Sequence, residues 1–222
     1  MEKIAVVYTS LGGLIETMKK EFSERIPDCK VYHIADDSLI QEVIEAGGVT
    51  ESVRRRMMHY FQAAAELKPC VIVSACSSVG EAAEEADKML DIPVIRIDHA
   101  MIEKALQKGK RIGVIASLET TMAPTVSCIQ RLAAESGRQV EVTGKVAEGA
   151  YAANRQGDTK LHDSLIAEAA KSIMHDVDVL ILAQGSMARM EMPLRKITGL
   201  PVYSSPGLCV EEIKGLIGKE EA

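Results

Sequence analysis

With 222 residues the chain has room for one large domain or two small ones. Its 3% aromatic content, without Trp, provides no stacking platform for bases, and its net charge of −6 repels a phosphate backbone, so no nucleic-acid partner is expected. The chain opens on a short strand-like run instead of a basic leader, and no apolar stretch nears the roughly 18–20 residues that span a bilayer. No membrane partner is expected, and the cytoplasm is the expected compartment.

A Val/Ile run at 3–8 predicts the first strand, and the periodic segment at 12–26 predicts the helix after it. A strand at 30–34, helices at 38–46 and 51–67, a strand at 70–75, a helix at 79–90 and a strand at 93–97 follow. A helix at 99–108 leads into a second series, with strands at 111–116, 139–143, 178–183 and 201–204 and helices at 121–136, 159–175 and 208–217. Pro69, Pro93 and Pro201 stand at strand starts, where a missing N–H is tolerated. Apolar runs alternating with amphipathic helices indicate parallel strands covered on both faces. The expected fold class is α/β: two pseudo-symmetric lobes, each a four-stranded parallel sheet flanked by helices, with the site in the cleft between them. The last helix has no strand after it and is expected to return to the first lobe. The N-terminal lobe then takes 1–97 plus 206–222, and the C-terminal lobe takes 98–205.

Displaced by 108 residues, the sequence falls onto itself. Lys3 to Val7 meets Arg111 to Ile115, Val31-Tyr32 meets Gln139-Val140, Val71 to Ala75 meets Val179 to Ala183, and Ile92 to Val94 meets Leu200 to Val202. In that register Cys76 lands on Gln184. A site with one of these from each lobe pairs a thiol, which can carry a proton, with a carboxamide, which cannot.

Ligands of open parallel sheets bind beyond the carboxyl ends of the strands, near the switch in strand order. Those ends carry Thr9, Ser10, Cys76, Ser77, Ser78, Ser117, Thr120, Thr121, Gln184, Gly185 and Ser186. Hydroxyls and free N–H groups at helix starts can cradle a carboxylate; the alternative is that these residues only cap helices. Cys76 reads as the reactive thiol. Cys29, Cys70, Cys128 and Cys209 read as free, packed thiols, because an odd cysteine count without CxxC or zinc-ligand spacing builds neither a disulfide frame nor a metal site.

His99, after the fourth strand of lobe one, could overhang the site, although Asp98-His99 is also a plain helix start. His162 reads as part of a surface helix, His33 as part of a strand, and His59 and His175 as helical and remote. Arg54, Arg55 and Arg56 read as a solvated face or interface rim rather than a substrate clamp, and Met187, Met190 and Met192 as an adaptable apolar wall or simple packing. Neither a GxGxxG after the first strand nor a Walker loop occurs, so no nucleotide cofactor is implied.

The segments KIAVVYTSLGG, VIVSACSSVGEA, RIGVIASLETTMAPT, EGAYAANRQGDTKLHD, VLILAQGSMARM and LPVYSSPG, in this order, resemble the aspartate/glutamate/hydantoin racemase superfamily over nearly the whole chain. The resemblance implies a cofactor-independent and metal-free enzyme that binds a small carboxylate substrate and forms a homodimer or higher homo-oligomer. It implies Cys76 as the first of the family's two proton-transferring cysteines, and Thr9, Ser10, Ser77, Ser78, Ser117, Thr120, Thr121, Gly185 and Ser186 as substrate-binding residues. Gln184 stands where the second cysteine is expected and has no titratable proton. Gln184 would then hydrogen-bond a carboxylate or enolate oxygen, and racemisation would need another carrier, His99 or water. The expected activity is that of an isomerase or racemase acting beside a carboxylate. A single-thiol decarboxylase or other lyase, and an inactive two-lobed acid-binding protein, are the alternatives.

Overall fold

Residues Lys3–Tyr8 form β1, and all of them after Lys3 are buried. Their alternation serves two cores at once. In the computed structural model, which describes residues 1–220 and side chains to residue 218, Ile4, Val6 and Tyr8 face one way and Ala5 and Val7 the other. Lys30–Ala35 (β2), Val71–Ser74 (β3) and Val94–Arg96 (β4) complete a parallel sheet in the order β2-β1-β3-β4.

On the Ala5 face pack α2 (Ser38–Ala46), α3 (Glu51–Ala65) and α4 (Gly80–Met89) through Leu39, Val43, Met57, Phe61 and Ala83. Each large side chain so buried contributes about 1.5–3 kcal/mol. On the Ile4 face lie Met18 and Phe22 of α1 (Gly13–Arg25) and Cys209, Val210 and Ile213 of the final helix, Ser205–Glu220. Residues Met1–His99 and the segment from Pro206 onward thus form one compact unit, and Ala100–Ser205 forms the other.

The second unit repeats the plan. Arg111–Ala116 (β5), Glu141–Val146 (β6), Val179–Leu182 (β7) and Val202–Ser204 (β8) form a parallel sheet in the order β6-β5-β7-β8. Helix α5 (His99–Leu106) leads in, α6 (Glu119–Glu135) packs on β5 and β6, and α8 (Thr159–Ile173) and α9 (Glu191–Thr198) close one face around Ile166, Leu180, Leu182 and Leu194. The final helix, Ser205–Glu220, is α10.

Three expectations are corrected. The second strand of this unit is not at 139–143 but at Glu141–Val146, so in the repeat it corresponds to β2 at an offset of 111, not 108. The cause is α6, which has 17 residues against 13 in α1 and pushes β6 along the chain. Two helices were absent from the sequence reading: α7 (Ala150–Arg155), three residues shorter than α2, which restores the offset, and α9. Helices of six and eight residues are too short to be stable through propensity alone and form because tertiary contacts hold them. The repeat itself was the signal that could have found both, since α2 and α4 foreshadow them. Finally, α6 begins at Glu119 and α10 at Ser205, two and three residues before the expected starts.

Candidate functional site

Each sheet switches its direction of growth at its first strand, so β1/β3 and β5/β7 flank the places where a parallel sheet opens a crevice. Cys76 follows β3 and Gln184 follows β7. Both backbones are extended, both residues are half-buried, and each caps a 3-10 turn, Ser77–Val79 and Gly185–Met190 respectively. The repeat therefore holds down to the conformation of single residues.

In the first unit, Thr9 is buried and Ser10 half-buried at the end of β1, and Ser77 and Ser78 are buried beside Cys76. Ser77 hydrogen-bonds Asp98, which is fully buried at the end of β4. Arg96 grips the same carboxylate with two bonds, Nε to Oδ1 at 2.9 Å and Nη2 to Oδ2 at 3.0 Å, and its Nη1 donates to Glu84 Oε1 at 2.8 Å. Burial alone would raise the Asp98 pKa, but the Arg96 charge and the bonds from Arg96 and Ser77 outweigh it and hold the carboxyl below its ordinary value. Alternation along the strand places Arg96 and Asp98 on one face, a pattern readable in Arg96-Ile97-Asp98 that the sequence reading passed over. His99 Nδ1 lies 2.6 Å from Glu212 Oε1 of α10, within the unit that holds Cys76.

In the second unit Gln184 is bonded at both ends. Its Oε1 accepts from the Ser117 N–H at 2.9 Å and its Nε2 donates to Thr121 Oγ1 at 3.1 Å. A backbone N–H can only donate, so the carboxamide has one orientation. Ser117, Thr121 and Gly185 are buried, and Ser186 is half-buried. Thr120 Oγ1 is buried without a partner. The capping alternative for the strand-end hydroxyls does not hold: the cap positions after β1, β3, β5 and β7 belong to Gly12, Cys76, Leu118 and Gln184, none with a side-chain capping bond.

The family profile described as Asp/Glu/Hydantoin racemase matches residues 13–213. The chain belongs to the Asp/Glu/hydantoin racemase family. No curated protein sequence matches it significantly. Among solved structures, a glutamate racemase of Bacillus anthracis is similar with a TM-score of 0.74 at 21% identity, over 99% of this chain and 82% of the other. An allantoin racemase of Klebsiella pneumoniae gives 0.73 at 16%, over 99% and 89%. A doubly substituted, liganded arylmalonate decarboxylase gives 0.65 at 14%, over 98% and 93%. At these identities the likeness is one of fold.

Other residues of this family member take structural places. His162 is not on a surface: it is fully buried, with Nδ1 2.9 Å from Arg189 Nη2 and 2.8 Å from Asp163 Oδ1. It lies on the inner stripe of α8 with Ile166 and Ala169, a stripe that the polar segment around it disguises. His33 bonds the Tyr8 hydroxyl at 3.0 Å. Arg54 pairs with Glu51 and Glu85, and Arg56 with Asp36 and Glu42, as a solvated, ion-paired face would. Met187 and Met190 are core residues, while Met192 is exposed. Cys128 and Cys209 are buried and Cys29 and Cys70 half-buried, and none of the four is in a disulfide. Burial pushes the Cys209 thiol well up. Among the described residues no cluster of His, Cys, Asp or Glu could hold a metal ion, and no helix is long and apolar enough to cross a membrane.

Proposed function

We propose that the protein is a cofactor-independent enzyme that moves a proton on the carbon beside a carboxylate of an amino acid or small dicarboxylate. Cys76 carries the proton, and Gln184 donates a hydrogen bond to a carboxylate or enolate oxygen. The supporting observation is the contrast at equivalent positions of the two units: a half-buried thiol after β3, and after β7 a carboxamide fixed by Ser117 and Thr121. A thiolate takes the α-proton and the pair of electrons left behind delocalises into the carboxylate; the same thiol returns a proton with retention, and for racemisation a second carrier, His99 or water, supplies it to the opposite face. A fixed donor at the developing oxyanion lowers that barrier without reorganising. Strand-end groups from Thr9, Ser10, Ser78, Thr120, Gly185 and Ser186 line the carboxylate. Ser77, whose hydroxyl is bonded to Asp98, contributes through its backbone N–H.

The same asymmetry favours a second reading, in which loss of CO2 generates the enolate and Cys76 protonates it from one face. The racemases and the arylmalonate decarboxylase that share this fold include both kinds of chemistry in their names. Incubation in D2O with a panel of amino acids and 2-substituted dicarboxylates separates them. Racemase-like action puts deuterium at the α-carbon of recovered substrate, and decarboxylation yields one labelled enantiomer of product. Cys76→Ala is expected to abolish either label, whereas Ala at Cys29, Cys70, Cys128 or Cys209 leaves it. Near-normal labelling by Cys76→Ala would show that another residue carries the proton. Under the racemase reading His99→Ala lowers exchange from one enantiomer more than from the other.

A further inference from the structure

The two units anchor their reactive turns by different means. After β7 the side chain at the reactive position is itself the tie, since Gln184 bridges to the Ser117 N–H and Thr121 at the start of the neighbouring loop. Cys76 is too short to make such a bridge, and it caps its turn without a side-chain bond. Its neighbour is tied instead: Ser77 bonds Asp98, and Asp98 is gripped by Arg96, which also holds Glu84 on α4. In the second unit Gly185 and Pro206 occupy the positions of Ser77 and Asp98, so that tie cannot be repeated there; the strand end is held instead by Ser204, which bonds Glu191 of α9.

The backbone is shaped to admit this clamp. Gly80, the first residue of α4, lies so close to the guanidinium that a Cβ would stand 2.2 Å from Arg96 Cζ and 2.5 Å from Nη1. Arg96 is 5% exposed and Asp98 0%, so the pair is desolvated and rigid. The turn after Cys76, the first two turns of α4 and the end of β4 meet in it.

We infer that Asp98, held by Arg96, is a positioning residue that fixes the Cys76 turn through the Ser77 hydroxyl, so that the thiol is presented in one direction. It touches no substrate and transfers no proton; its role is geometric, and misplacement of a reacting group by about 1 Å can cost roughly 10²-fold in rate. The inference rests on the reading that Cys76 does the chemistry, but its test does not require the substrate.

The probe is iodoacetamide, with alkylation followed at each cysteine by peptide mass analysis across pH. In the wild type the half-buried Cys76 reacts at a rate set by its held turn, while Cys128 and Cys209 are protected by burial. Asp98→Asn and Ser77→Ala are expected to speed Cys76 alkylation about tenfold, because the released turn exposes the thiol, without deprotecting Cys128 or Cys209. Ser77→Thr, which keeps the hydroxyl, should restore the wild-type rate. Should Asp98→Asn fail to fold, Ser77→Ala, which leaves the ion pair whole, carries the test alone. Unchanged Cys76 rates in Ser77→Ala, or acceleration of all five thiols together, would overturn the proposal, the latter by showing loss of global stability only. Failure of the functional reading looks different: no deuterium incorporation by the wild type, whatever the alkylation rates.

Discussion

Gln184 commits its carbonyl oxygen to the Ser117 N–H and one amide hydrogen to Thr121, which leaves one Nε2 hydrogen with a fixed direction. A carboxylate in its place would keep the bond from Ser117, accept from Thr121, and offer a ligand only negative charge. Gln184→Glu is therefore expected to lose at least as much as Gln184→Ala, on the order of 10²–10³ in exchange rate, when α-deuteration is compared on the same substrate. A Gln184→Glu enzyme with wild-type rates would show that Gln184 is no donor. The positions of Cys76 and Gln184 were legible because a repeat in sequence is a repeat in backbone. Where the hydroxyls point was not. Ser77 and Thr121 take partners that distant segments bring to them, and the segments' arrival is a tertiary event that spacing does not encode.

Elements were legible in proportion to their length and periodicity. The offset of 108 carries β1 onto β5, β3 onto β7, β4 onto β8 and α3 onto α8 residue for residue, and apolar runs announced every strand but β6 within a residue or two. The second strand slipped because β6, with burial limited to three half-buried residues, has no continuous apolar run to mark it. Its register is set by β5 instead, with Arg111 opposite Glu141 and Val114 opposite Gly144. The same sheet shows how close packing selects a residue at mid-strand. Gly113 sits on β5 where a Cβ would stand 2.5 Å from Leu180 Cδ2 of β7, with Ile173 and Val177 also near. Gly113→Ala is expected to destabilise the protein by about 1–3 kcal/mol through overpacking. Gly13→Ala, which meets nothing within 4 Å at the start of α1, should be neutral or slightly stabilising. Urea denaturation midpoints of the two variants make the comparison, and equal midpoints would show that the strand can yield.

At the scale of the molecule, ionic ties join strand ends to helices, and they set how stability responds to acid. Asp36, after β2, accepts from Ser38 of α2 and from Tyr60 and Arg56 of α3. Burial raises its pKa, but these bonds prevail and pull it down to about 2. A folded-state pKa below the unfolded value of roughly 3.9 gives stability that is complete above that value and vanishes as pH falls through the folded one. Asp36→Asn should accordingly cost about 1–2 kcal/mol at pH 6 after allowance for solvent screening. The gap from wild type should close between about pH 4 and pH 2, as measured by urea titration at each pH. A gap independent of pH would assign the loss to packing instead of charge. The chain emerges from the ribosome in sequence order, and its two units are threaded differently along that order. Domains fold as units during synthesis, and the unit of Ala100–Ser205 is continuous in sequence, whereas the first sheet waits for α10 to cover Ile4, Val6 and Val73. The half that is made first is completed last, and until α10 joins it the Ile4 face of β1 and β3 has only α1 over it and stays partly open to other chains and to chaperones.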